Sequence, residues 1–378
     1  MDLQKVLFAL LKASVSDKML TEETKKACTE DVLEQVFVLA QKHDLAHLLG
    51  CLDFPDSALA QKLKKAPQFA AFRYVQLNYE FERICKTLDN GRIPYIPLKG
   101  AVIRQYYPES WMRTSCDMDI LVHEEDLDKA VQLLVKELSY ETDGKKNYHD
   151  ISLFSKTGVH LELHFSICEN TPKLDDLLSQ AWNYAAPVSG CRYELEKNYQ
   201  VFYLLAHMSY HFAGGGCGLR SFLDLYLLQE QGYYDENQVK GYLSQCGLVR
   251  FYESVCTLID VWFRGKNHTE LTEQMAQFLL TGGAYGNGEF HIAIQQKKKG
   301  GKGKYILGRI FLPYRTLKIR YRILEKVPVL YPVMVVWRWI ETLFSGKAKR
   351  AASELDTTNR MEKKQVDAVC ALLEKLGL

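Results

Sequence analysis

The sequence predicts an α+β protein: a small mixed-sheet core flanked by N-terminal and C-terminal helical regions. Three observations carry this. Residues 1 to about 90 show only helical spacing of apolar residues, the next stretch switches to short runs bounded by glycine or alternating with period two, and helical spacing returns from Lys173 onward. The expected organisation is an N-terminal helical region (1–90), an α/β core (91–170), a helical domain (171–290) and a basic C-terminal helical region (291–378). No internal repeat is evident.

The elements follow in order. Leu3, Val6, Leu7, Leu10 and Leu11 fall on one helical stripe, and Asp2 with so short an apolar run argues against a signal peptide. Val32, Leu33, Val36, Phe37 and Leu39 predict a second helix, and Phe69 to Leu88 a long one. Ile93 to Leu98 is apolar and bounded by Gly91 and Gly100, which suggests a strand; Ala101 to Tyr107 suggests a short helix ended before Pro108. Cys116 to Val122 alternates, with Met118, Ile120 and Val122 on one side and Asp117, Asp119 and Leu121 on the other. Glu124 to Leu138 predicts an amphipathic helix with acids in its first turn. Ile151–Phe154 and Val159–Phe165 read as strands joined through Lys156-Thr157-Gly158. Helices are then expected near 174–182, 199–213, 217–230, 236–246, 249–263 and 268–280. KKKGGKGK at 297–304 reads as a flexible basic linker, followed by helices near 313–326, 329–344 and 360–376. Four strands are too few for a doubly wound nucleotide fold, and neither GxGxxG nor GxxxxGK[ST] occurs.

Composition narrows the class. With 47% hydrophobic and 25% charged residues, disordered, collagenous and coiled-coil chains are excluded. The ten cysteines lie far apart with no CxxC, which argues against a zinc knuckle or disulfide framework and fits buried free thiols in a reducing compartment. The run Val327 to Trp337 contains Pro328 and Pro332 and falls short of the ~18 residues of a membrane span, so a cytoplasmic protein without a transmembrane segment is expected. Charge is uneven. Residues 297–350 hold fifteen Lys and Arg against two Glu, a net of +13, which leaves −11 on the rest of a chain whose total is +2. Such an arm implies an anionic partner or the acidic body itself. It reads as a helical cap, as an electrostatic docking surface for an anionic partner, or as a surface helix on anionic lipid.

Asp117-Met118-Asp119 is the sharpest chemical feature. Carboxylates at i and i+2 of a strand share a face only about 7 Å apart, and like charges so placed call for a cation. A hard divalent ion such as Mg²⁺ (or Mn²⁺) suits them. In Val159-His160-Leu161-Glu162-Leu163-His164-Phe165 the apolar residues take one face, and His160, Glu162 and His164 the other. Glu162 would supply the third carboxylate of a two-metal phosphoryl or nucleotidyl transfer site. Lys99-Gly100, between a strand and a helix, offers a positive charge and a close backbone approach to a phosphate. Arg113 stands four residues before Asp117, placed either to contact phosphates or to pair with the acidic cluster. His207 and His211 have the i, i+4 spacing of metal ligands, but no third ligand accompanies them, and a buried hydrogen-bonded pair is the plainer reading. Gly214-Gly215-Gly216-Cys217-Gly218 lacks the Lys-Ser/Thr of a P-loop and reads as a flexible connection.

LKGAVIRQYYPES-WMRTSCDMDILV, VHLELHFSI and AHMSYHFAGGGCGLRSFLDLYLL together resemble the bacterial family of uncharacterised nucleotidyltransferases within the DNA-polymerase-β-like superfamily, over roughly residues 30 to 340. The resemblance implies that 91–170 is a nucleotidyltransferase-like core. It puts Asp117, Asp119 and Glu162 at the catalytic metal positions, Lys99, Gly100 and Arg113 on the nucleotide, and His164, His207 and His211 toward the acceptor. Ala101 stands where the superfamily usually has Ser or Gly after the turn glycine, and the third carboxylate is Glu rather than Asp. The activity so implied is Mg²⁺-dependent transfer of a nucleoside monophosphate from an NTP to a hydroxyl, with release of pyrophosphate. The acceptor would be a small molecule, a protein or an RNA. The alternative is a catalytically inactive nucleotide-binding or interaction protein on the same fold. A glycosyltransferase, which also uses DxD, is disfavoured because helices rather than a βαβ domain precede the motif.

Overall fold

The computed structural model describes residues 2–16, 20–54, 57–344, 348–360 and 363–378. It divides into two compact units: one comprises the chain up to Tyr210, then Cys217–Tyr285 and Gly377, and the other His211–Gly216, Gly286–Leu376 and Leu378. In the first unit the main helices are α1 (Leu3–Ser14), α2 (Glu30–Lys42), α3 (Ala58–Asn90), α4 (Leu127–Leu138), α5 (Lys197–Gly214, whose last turn falls in the second unit), α6 (Arg220–Glu230), α7 (Glu236–Cys246), α8 (Val249–Arg264) and α9 (Glu270–Thr281). The second holds α10 (Gly288–Lys298), α11 (Lys302–Ile310), α12 (Tyr314–Arg320), α13 (Tyr331–Phe344), α14 (Ala348–Arg360) and α15 (Lys363–Leu376).

A single six-stranded mixed sheet lies in the first unit: β1 (Tyr95–Pro97), β2 (Asp117–Val122), β3 (Asp150–Phe154), β4 (His160–His164), β5 (Ala185–Ser189) and β6 (Arg192–Leu195), in the order β3-β4-β2-β1-β6-β5. β2 runs antiparallel to β1 and parallel to β4. Alternation decides the faces. Met118, Ile120, Val122, Leu161 and Leu163 pack with Leu77, Ile84 and Leu88 of α3 and Ala130 and Leu134 of α4. Each such buried aliphatic side chain contributes ~1.5–3 kcal/mol, and a slip of one residue would send the carboxylates into this core instead. The register is thereby fixed, and the opposite face is left to the polar residues.

The fold is α+β with a mixed sheet, as expected, but four local expectations are corrected. The region after Lys173 is not wholly helical. β5 and β6 add a hairpin at the sheet edge, which four-strand counting missed because β5 carries Pro187, is mostly exposed and shows no alternation. The 297–304 stretch is not a linker: α10 continues through Lys298, Gly300 and Gly301 turn the chain at φ 77° and 114°, and α11 begins at Lys302. The ten cysteines are free, yet only Cys217 and Cys370 are buried, while Cys51 and Cys116 are exposed. Helix α14 falls where no helix was expected, its composition being polar. Lys347 of the basic segment lies outside the described residues.

Candidate metal and nucleotide site

Because β2 and β4 are parallel neighbours, their polar faces align residue for residue: Asp117 opposite His160, Asp119 opposite Glu162, Leu121 opposite His164. Two groups of potential ligands result, Asp117/His160/Glu162 and Asp119/Glu162/His164, with donor atoms within 4.8 Å of one another in each and Glu162 common to both. His164 Nε2 lies 3.1 Å from Asp119 Oδ1 and 3.5 Å from Glu162 Oε2. His160 stacks on Phe154 at 4.5 Å, and its buried Nε2 has no hydrogen-bond partner.

Lys99 follows β1 at φ 41°, ψ −104°, a region that non-glycine residues rarely occupy and that costs ~1–3 kcal/mol. The turn is held from both sides: Leu98 N–H donates to the Asp119 carbonyl (3.0 Å), and the Lys99 carbonyl accepts from Val102 (3.1 Å) and Ile103 (2.9 Å). In this conformation Lys99 Nζ reaches 3.7 Å from Asp119 Oδ1 and lies 5.9 Å from the Tyr203 ring centroid. Gly100 leaves room for Arg113: a Cβ there would come 2.8 Å from Arg113 Nη1, so the guanidinium would have to shift.

The electrostatics follow from crowding. Burial would raise the Asp119 carboxyl, but Lys99 and the His164 hydrogen bond hold it far below the usual carboxylate range. Asp117 is pushed up, by burial first and then by Asp119 and Glu162. Burial disfavours a charged His164, yet hydrogen bonds to Asp119 and Glu162 raise it to about 9. Lys99 is likewise disfavoured by burial but is held above the ordinary lysine value by Asp119, Tyr203, Glu169 and Glu162. Without a metal, Lys99 and His164 offset the negative charge.

Of the residues expected at the site, the structure brings together Lys99, Asp117, Asp119, Glu162 and His164. His207 lies near, its Nδ1 2.6 Å from Glu169 Oε1, with burial and then Lys99 pressing its pKa well below the ordinary histidine value. His211 is exposed and falls in the second unit, and neither His207 nor His211 enters a three-donor group among the described residues. Arg113 is buried against Asp224: Nη2 donates to Oδ2 (2.8 Å), Nε to Oδ1 (3.0 Å), and Tyr107 Oη donates to Oδ1 (2.7 Å). The carboxylate that pairs with Arg113 thus comes from α6 and not from the DxD pair, which corrects the expected pairing with the acidic cluster. Sequence reasoning missed Glu169 and Tyr203, which carry no local pattern. It also passed over His160 as a ligand, although the β4 alternation had already set it on the acidic face.

The donor set fits a divalent cation: three carboxylates and two imidazoles on one sheet face, one of the imidazoles being His160 with its unpartnered buried Nε2. Such a face, beside a strand-to-helix turn bearing Lys99, could hold a metal ion. Residues 31–264 match the profile of the uncharacterised nucleotidyltransferase family, and the chain belongs to that family. No curated protein and no solved structure matches it significantly.

Proposed function

We propose that the protein transfers a nucleoside monophosphate from an NTP to a hydroxyl on an acceptor, with release of pyrophosphate, using the acidic face of β2 and β4. The observation that carries this is the alignment of Asp119 with Glu162 across parallel strands, with Asp117 on the same face and Lys99 3.7 Å from Asp119. Asp117, Asp119 and Glu162, with His160 and His164 beside them, would hold Mg²⁺ or Mn²⁺. When bound, such an ion polarises the phosphate and makes the attacking hydroxyl more acidic. The chain's own residues do the rest. Lys99 is placed to meet phosphate oxygens, and Arg104, whose Nε donates to the Gly100 carbonyl at 2.8 Å, adds positive charge to the same turn. As the acceptor oxygen bonds to the α-phosphorus and the bond to pyrophosphate breaks, the hydroxyl proton must leave. A carboxylate oxygen of the acidic face that the ion leaves free would take it. We extend this reading to placement in the DNA-polymerase-β-like superfamily and, from ten free cysteines, to a cytoplasmic setting.

One observation favours a second reading, that of a nucleotide-binding protein without catalysis: Asp119 is already matched by Lys99 and His164. Pyrophosphate release from each of the four NTPs, measured with Mg²⁺ or Mn²⁺ against pools of small-molecule, protein and RNA acceptors, separates the two. Release abolished by Asp119→Asn supports transfer. Metal-dependent NTP binding without release, from any pool, favours the binding protein.

A further inference from the structure

The second unit carries a feature that nucleotidyl transfer does not use. α13 turns Val335, Met334 and Trp339 onto Leu317 and Leu324, and Trp339 Nε1 donates to the Ile310 carbonyl at 2.9 Å. Its other side presents Val333, Val336, Trp337, Ile340, Leu343 and Phe344, each between 42% and 87% exposed. On an ideal helix these positions fall within a stripe about 120° wide that contains no charged or polar residue. Val329, 80% exposed, lies just before it. Scattered apolar side chains on a surface need no explanation, but a contiguous stripe of this kind marks a contact face.

We propose that α13 docks in the interface of an anionic lipid bilayer, lying in the membrane plane with this stripe toward the acyl chains. The chain segment that carries the stripe, 297–350, holds a net +13 against −11 elsewhere. A second copy would bring the same positive segment to the seam, and a nucleic acid would supply the negative charge but no apolar phase for six hydrophobic side chains. An anionic bilayer supplies both. Trp337 sits within the stripe, a residue type that favours the headgroup boundary. At fourteen residues the helix spans ~21 Å, too short to cross, and no helix among the described residues is long and apolar enough to do so. It lies on the membrane rather than through it.

The test is flotation of the full chain with vesicles of phosphatidylcholine alone or mixed with phosphatidylglycerol, over a range of salt. The protein should float with the mixed vesicles at low salt, do so less as salt rises, and show a blue shift of tryptophan emission. Val336→Asp/Ile340→Asp should weaken lipid binding by about tenfold or more while circular dichroism stays unchanged. If that variant unfolds, the milder Leu343→Ser/Phe344→Ser at the helix end should still weaken binding severalfold. Absence of flotation with the mixed vesicles, or equal flotation of the folded variants, would overturn the proposal. So would a concentration-dependent dimer, or saturable oligonucleotide binding, lost in the same variants without any lipid binding by the parent protein.

Discussion

Lys99 sets the charge balance of the site together with His164, because its ammonium lies 3.7 Å from the most buried member of the DxD pair. Replacing it by Met leaves Asp119 with His164 as its main counter-charge, so the carboxyl should move up toward its ordinary range; NMR titration of the carboxylates checks this. His164 gives a sharper expectation. Its folded pKa, about 9, lies above the ordinary ~6.5. The stability it contributes, on the order of 3 kcal/mol, is therefore complete below about pH 6.5 and is lost as pH rises through 9. Metal-free protein in chelator should melt progressively lower between pH 7 and 10, and His164→Gln should show a flatter profile in that window. Asp119 has the opposite sign: its contribution exists above the ordinary carboxylate value and disappears as pH falls below it. At this scale the sequence showed which side chains share a face, because strand alternation is local. It did not show that Lys99 and His164 converge on Asp119, since that depends on which strands become neighbours.

At the scale of elements, the segment leading into β2 is clamped before the carboxylates begin. Arg113 is tied to Asp224 of α6, Arg104 Nη2 donates to Ser115 Oγ at 3.1 Å, and Arg220 Nη1 donates to the Thr114 carbonyl at 2.8 Å. Asp224→Ala would strand a buried guanidinium and should cost ~3–5 kcal/mol, read as a fall in urea midpoint, whereas Arg113→Met/Asp224→Leu should recover much of that loss. The helices of the first unit were legible because each shows an apolar stripe: those expected at 236–246 and 249–263 coincide with α7 and α8 almost to the residue. β5 and β6 were not, since β6 joins the sheet through a parallel contact with β1 at Tyr95 and Arg192, a long-range pairing with no local signature. Gly300 and Gly301 mark a real break, but Lys297, Lys298, Lys302 and Lys304 belong to the helices on either side, and Lys299 in the turn lies over Tyr305 at 5.4 Å.

At the scale of the whole molecule, the chain separates its chemistry from its charge. The acidic face lies in the first unit and most of the net positive charge in the second. The family match covers residues 31–264, and the basic segment lies beyond it. The central claim, that Asp117, Asp119 and Glu162 form a divalent-cation site serving a nucleotide, is tested most directly by Mn²⁺ electron paramagnetic resonance. Titrating Mn²⁺ into the full chain, with and without NTP, should reveal bound Mn²⁺ whose affinity rises when nucleotide is present. That binding should disappear in Asp117→Asn, Asp119→Asn and Glu162→Gln, with folding retained. Wild-type protein that leaves Mn²⁺ free in the presence of NTP, or the three variants binding it as the wild type does, would contradict the account.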